Sequence, residues 1–591
     1  MSSKKVYWKS VAQLDESNEM VHKLENNEFI EKIPVDEFLG DEDSMNQSSA
    51  NRRDFLKYVG FSTAAATLAA CEGPVIKSVP YVVQPEQIIP GLANYYATSI
   101  ADGFDFASIL IKTREGRPIK VESNSDAPSM GCANARVHAS VLSLYDIKRL
   151  QGPKVEGKDV SWNDFYSQLG AKLKAMGNSG KPVVMLTQTF ASPTTQSILK
   201  KFIKQFPNIR HVTYDAISSS AALDAFENIY GVRALADYDF SKAETIVSIA
   251  ADILGDWQGG GYDAGYAKGR VPKKDHGKSI MSYHAQFESN LSLSGANADH
   301  RFPIDPASQK KVIAQIYAGL TGVSLKSNLS AELTKTVAEI VERLKSAGEK
   351  GVVVSGIDDI AVQEVILAIN NHLGSKAINI AQPKLIRKGN NSEIIKLVSD
   401  IKSGEVKGLI TAGINPGFTL PNADEFLEAF EKLELSAAFA IKEDETAAAA
   451  QFLGATSHYL ESWGDYEFKK GHFALAQPTI KPLFDTRQFQ DVLLKLMKTK
   501  TNYHQEIKSF WKENVLLEKT WNQSLHDGFL TTDSSIEFNS PKIDVSDQIN
   551  KLSLSTSNLS LIHISAPTRL LSIACSVVFG KKKRGGGGGG G

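Results

Sequence analysis

Apolar residues along this chain fall into two alternating rhythms. Pro182–Leu186 (PVVML), Thr245–Ile249, Gly351–Ser355 and Gly408–Ala412 are continuous, strand-length apolar runs. Between such runs the apolar residues recur three and four apart, as Ile198, Phe202 and Phe206 do in a helix predicted over Thr194–Phe206. The same reading gives strands at Ile209–Tyr214, Ala377–Ile380 and Ala437–Ile441. It gives helices at Ala221–Tyr230, Ser308–Leu320, Ala331–Ala347, Ala361–Leu373, Ser392–Ile401 and Ala423–Leu433. Ser192 followed by Pro193 opens one helix as an N-cap with proline at the first helical position. Asn390 with Glu393 has the form of a capping box. Buried strands alternating with helices imply parallel sheets covered on both faces.

Before this region the pattern changes. Ala107–Thr113, a turn at 114–117 and Pro118–Glu122 read as a hairpin, followed by a helical piece over Ala133–Tyr145. The predicted fold class is therefore α/β, with two Rossmann-like parallel-sheet units preceded by a small β-rich domain. The expected boundaries are a β-rich domain at 72–151, α/β blocks at 152–322 and 323–497, and a linker or tail at 498–558, with Trp511 and Trp521 on a helix.

Residues 1–50 are a polar leader, acidic in its second half. They precede Asn51–Cys71, NRRDFLKYVGFSTAAATLAAC, in which Arg52 and Arg53 are followed by Phe55, Leu56 and Lys57. Tyr58–Ala70 is an uncharged run of 13 residues, too short for a bilayer-spanning helix of roughly 20. It has the length of a signal h-region. The stretch resembles a twin-arginine export signal ending in a lipobox, Leu68–Cys71. That resemblance implies passage through the twin-arginine translocase, acylation of Cys71 and residence on the periplasmic side of the inner membrane. At the other end, residues 559–591 close in a run of glycines and show no folding logic. They read as sequence foreign to this protein, with the natural chain continuing differently.

Lys+Arg 66 against Asp+Glu 67 leaves no basic excess, which argues against nucleic acid as a partner. The cysteines are Cys71, Cys132 and Cys575. Three exclude a disulfide framework and fall short of the four thiolates that an iron–sulfur cluster takes.

Candidate chemistry is sparse. The loop Gly255–Gly265 follows a predicted strand but lacks the spacing of a dinucleotide cradle, and reads as an insertion turn. Asp215 with Ser218, Ser219 and Ser220 stands at a strand-to-helix crossover where an oxygen ligand could be offered; helix capping is the simpler reading. His276, His284, His300 and His458 show no ligand spacing. His458, Glu461, Trp463 and Asp465 form the densest polar–aromatic cluster without specifying a reaction.

Several stretches together resemble molybdopterin oxidoreductases of the dimethyl-sulfoxide-reductase type. They are Thr113–Glu122, Gly131–Asn134, Ala139–Asp146 with Arg149 and Leu150, Ala251–Trp257, Leu293–Asp299, Asn415–Pro416, Asp444–Thr446, Leu460–Asp465 and Pro482–Arg487. With the leader and signal, the pattern is similar to the large iron–sulfur subunits of alternative complex III, over roughly residues 5–530. The resemblance implies domains I–III of that fold. It also implies membrane-embedded quinol-oxidising and cytochrome c subunits as partners. Catalytic relatives carry a four-cysteine cluster site, of which only Cys132 has a counterpart here. The implied role is a cofactor-free scaffold with no catalytic, cofactor or metal residues in this portion. The 4Fe-4S and 3Fe-4S clusters are then expected in a following half absent from the sequence. The alternative is an exported catalytic enzyme binding molybdopterin guanine dinucleotide, with a serine near Ser218–Ser220 as metal ligand.

Overall fold

The computed structural model describes residues 92–127, 133–275, 278–326, 328–538 and 543–556, without the side chains of 273–280. The leader, Arg52, Arg53, Phe55, Leu56, Lys57, Cys71, Cys132, His276 and residues 559–591 lie outside the described residues.

Three antiparallel strands, Asn94–Ala101, Phe106–Arg114 and Arg117–Ser123, form the expected hairpin and one strand more. Alternate residues Ile109, Ile111 and Val121 are buried, and Val137, Val141 and Leu144 of the helix Ala135–Leu144 share their core. Asn134 caps that helix by accepting from the Val137 N–H.

The continuous apolar runs became fully buried parallel strands. A seven-stranded sheet runs in the order Lys158–Asp159, Lys154–Val155, Phe452–Ala455, Leu435–Ala440, Gly408–Ala412, Val183–Thr187, Ile209–Thr213. A four-stranded parallel sheet runs His300–Pro303, Tyr283–Glu288, Thr245–Ile249, Gly351–Ser355. Every residue of Val183–Thr187, Thr245–Ile249, Gly351–Ser355 and Gly408–Ala412 is buried, as strands covered by helices on both faces must be. The helices are amphipathic in the expected register. Ala331–Ala347 buries Val337, Ile340, Val341 and Leu344, and Ser330 caps it. Ile360–Leu373 is buried continuously from Ala361 to Asn370, because it packs under the small sheet and against neighbouring helices at once.

Three expectations change. The two parallel-sheet units are interleaved and do not follow one another as blocks 152–322 and 323–497. The chain leaves the large sheet after Ile209–Thr213, builds the small sheet, and returns with Gly408–Ala412. The strand expected at Ala377–Ile380 runs Ile378–Lys384 and pairs antiparallel with Leu235–Tyr238 and with Lys469. It belongs to a five-stranded sheet with Gly464–Lys469, His472–Ala476 and Phe529–Thr531. Its first five residues are only half-buried, which is how an antiparallel strand differs from a parallel core strand. The 498–558 stretch is also packed and is no loose tail. Trp511 and Trp521 sit on separate helices, Tyr503–Asn514 and Trp521–Asp527, with rings 6.1 Å apart. Ile549 and Leu552 of Ser546–Ser553 are buried in the small-sheet core.

Candidate functional site

In open parallel sheets, ligands bind at the carboxyl ends of strands where the strand order reverses. Each parallel sheet here has one such reversal. In the large sheet, Val183–Thr187 has Ile209–Thr213 on one side and the later strand Gly408–Ala412 on the other. In the small sheet, Thr245–Ile249 lies between Tyr283–Glu288 and Gly351–Ser355.

At the large sheet, Gln188 follows the switch strand directly. Its amide donates to the carbonyls of Asp102 at 2.6 Å and Gly413 at 2.9 Å. Gly413 has φ +69°, and a Cβ there would lie 2.9 Å from the Gln188 side chain. On the opposite side a Cβ on Gly103 would lie 2.5 Å from the same side chain. One glutamine thus stands between the N-terminal domain and the crevice. Next to it the Asp215 carboxylate accepts from the Thr189 N–H (2.9 Å) and hydroxyl (2.6 Å), and from the N–H groups of Lys388 (3.1 Å) and Gly389 (2.9 Å). These bonds draw residues 384–389 across the strand ends as a strap.

At the small sheet, backbone closes the crevice. Gly356 N–H donates to the Ile249 carbonyl at 2.9 Å. A Cβ on Gly356 would lie 2.1 Å from the Ala250 carbonyl oxygen, so the two loops touch as closely as backbone can. Trp257 adds a bond from its indole N–H to the Ser355 carbonyl at 3.1 Å.

The strap carries three cations. Arg387 is buried and donates only to carbonyls, those of Phe104 (2.6 Å), Ile217 (3.2 Å) and Ile386 (3.2 Å). Burial pushes its pKa, and that of Lys388, downward. The buried Lys384 amine donates to the Gly260 carbonyl at 3.2 Å and sits 3.8 Å from the Tyr262 ring centroid. Its nearest carboxylate, Asp237, is 4.0 Å away and is held by Lys469 at 2.6 Å. Burial lowers the Lys384 pKa to about 8; Asp237 opposes the shift, and Lys469 and Arg387 add to it.

A cavity of about 190 Å³ adjoins this amine, lined by Phe106, Asn134, loop residues 253–256 and 259–261, Asp263 and Lys384. At its edge Arg136 joins the N-terminal domain to the loop, pairing with Asp105 at 2.8 Å and Asp256 at 2.7 Å. Burial alone would raise the Asp105 pKa, but Arg136 and Asn134 outweigh it and hold the carboxyl below its usual range.

The residues singled out in the sequence act locally. The Ser218 hydroxyl accepts from the Ser220 N–H (3.2 Å) and donates to Asn391 (2.9 Å). The loop Gly255–Gly265 forms a short helical turn, Trp257–Gly259, and the helix Asp263–Arg270 begins within it. His458 caps the turn Tyr459–Glu461 and pairs with Ser143 at 2.8 Å, and burial lowers its pKa to about 4. Glu461 forms a fully buried ion pair with Arg149 at 2.6 Å. The Asp465 carboxylate accepts from Ser192, Thr194 and Trp511 at 2.6, 2.7 and 3.1 Å, and burial raises its pKa. Among the described residues no group of three or more His, Cys, Asp or Glu could hold a metal ion. Gln188, Lys384 and Arg387 escaped the sequence reading; the cation-rich KLIRK after Pro383 was the local signal for the two cations.

No protein-family model matches the chain. It is 23% identical over 501 residues to the menaquinone reductase molybdopterin-binding-like subunit of Nitratidesulfovibrio vulgaris (strain Hildenborough), covering 76% of this chain and 71% of that one. Among solved structures, acetylene hydratase from Pelobacter acetylenicus matches with a TM-score of 0.58 at 11% identity, over 80% of this chain and 81% of that chain. The likeness to acetylene hydratase is one of fold: mixed α/β, with parallel sheets and a small antiparallel sheet at the N-terminal side. In sequence the chain is similar to that menaquinone reductase subunit, and in fold to acetylene hydratase.

The described residues fit a pterin dinucleotide poorly. Gln188 and the strap occupy one switch point, touching backbone occupies the other, and the 190 Å³ cavity is smaller than the roughly 300–1,000 Å³ of drug-sized sites.

Proposed function

We propose that this chain is the molybdopterin-oxidoreductase-like subunit of a membrane quinol:electron-acceptor oxidoreductase of the alternative complex III type, and that the folded part described is a scaffold without pterin. The filling of both switch points by the chain's own residues carries this reading. It is supported by the similarity to a subunit named as molybdopterin-binding-like in a menaquinone reductase. On this reading the N-terminal sheet, the two parallel sheets and the strap supply a rigid docking body. The redox groups lie elsewhere in the complex, and quinol-oxidising and cytochrome c subunits are the partners.

Export by the twin-arginine translocase and acylation at Cys71 complete the proposal. No helix among the described residues is long and apolar enough to cross a membrane. On this reading the acyl chains at Cys71 hold the protein at the membrane surface. Affinity purification of the full-length protein from detergent-solubilised membranes tests the assembly. Co-purification of c-type haem and quinol-oxidising subunits is expected, and a monomer with neither overturns it. Replacing Arg52 and Arg53 by Lys should leave precursor inside the cell, and Cys71→Ala should release the protein from the membrane. Normal export or continued attachment would contradict those parts separately.

A further inference from the structure

We propose that Lys384 is a nucleophilic amine that captures small carbonyl compounds as imines in the cavity beside the glycine-rich loop. The amine is buried, yet its closest contacts are the neutral Gly260 carbonyl and the Tyr262 ring face. The nearest carboxylate, Asp237, is bound more closely by Lys469 than by Lys384. An ammonium without a dedicated counter-ion in a desolvated place gives up its proton readily, which is how protein lysines become nucleophiles. With its pKa near 8, about one amine in ten is unprotonated at pH 7, against about one in three thousand for an ordinary exposed lysine.

The cavity supplies the second requirement. It reaches Lys384 from the side of Phe106, whose ring offers an apolar wall, and its 190 Å³ admits a carbonyl compound of a few heavy atoms. Arg136 neutralises Asp256 at the rim, leaving Asp263 on the exposed start of a helix as the other lining carboxylate. In the reaction the Nζ lone pair adds to the carbonyl carbon, and the carbonyl oxygen takes up a proton. Loss of that oxygen as water, with the remaining nitrogen proton released, leaves a carbon–nitrogen double bond. Addition and loss of water balance without oxidant or reductant. The proposal is independent of the scaffold reading and stands or falls separately from it.

The test is reductive trapping on the folded full-length protein with acetaldehyde and cyanoborohydride at pH 7, followed by peptide mass mapping. Lys384 should be alkylated at least tenfold faster than Lys335 and Lys345, which are exposed on one helix. A bulky aldehyde such as pyrenecarboxaldehyde should reverse that order, because the cavity excludes it. Labelling of Lys384 at or below the surface rate, or only after unfolding, would overturn the proposal, as would equal labelling by both aldehydes. These outcomes need no variant. Lys384→Arg adds a control in which the fast-reacting peptide disappears while the surface lysines keep their rates.

Discussion

At the large sheet the crevice is filled by a side chain, whereas at the small sheet it is closed by backbone. Gln188 reaches from the end of Val183–Thr187 to two carbonyls, and a strap tied to Asp215 lies beside it. At Thr245–Ile249 the following loop meets Gly356 directly, and a cavity with a buried amine survives to one side. The same fold can therefore close a ligand crevice by two physical routes. A hydrogen-bonded plug is polar and replaceable. Backbone contact at a glycine is steric and tolerates no side chain.

Acid should erode both sheets through the histidines on their switch-flanking strands. His211, bonded to Thr187 at 2.9 Å, and His284, facing Tyr266 and Gln286, have pKa values lowered by burial to about 4. Unfolded, they titrate near 6.5. Between pH 6.5 and 4 the unfolded chain binds more protons, so stability is full above 6.5 and falls with pH. The loss is up to about 3 kcal/mol per histidine. Urea midpoints across that range check it, and His284→Gln should flatten the profile by about one proton.

Gly356→Ala should cost about 3 kcal/mol, because its Cβ meets the Ala250 backbone at 2.1 Å and neither chain can yield easily. Asp215→Asn comes next, at about 2 kcal/mol, since an amide cannot accept all four donors that the carboxylate now takes. Gln188→Ala should cost only about 1 kcal/mol, because water can reach the half-buried site and satisfy the two carbonyls. Thermal or urea unfolding of the three variants orders them. A Gln188→Ala loss equal to that of Gly356→Ala would erase the distinction between plug and steric closure.

Much of this architecture is legible in the residues. Continuous runs such as Thr245–Ile249 and Gly351–Ser355 mark strands buried on both faces, and Ser192 and Asn390 mark helix starts by the bonds they accept. Periodicity gives the type of an element but not its partner, so the interleaving of the two sheets was hidden. The antiparallel strand Gly464–Lys469 carries too many polar residues to stand out, and Ile378–Lys384 was legible only over its first residues. The plug was hidden for a similar reason. A glutamine after a strand looks like any loop residue until Asp102 and Gly413 are brought to it from 86 positions before and 225 after.

On the proposed reading, the chain's own residues fill both switch points and leave no room there for a pterin dinucleotide. Elemental analysis for molybdenum and tungsten, with pterin extraction, on the full-length protein from cells that make the cofactor tests it most directly. Background metal and no extractable pterin are expected; one metal per chain with a recoverable pterin dinucleotide would contradict the account.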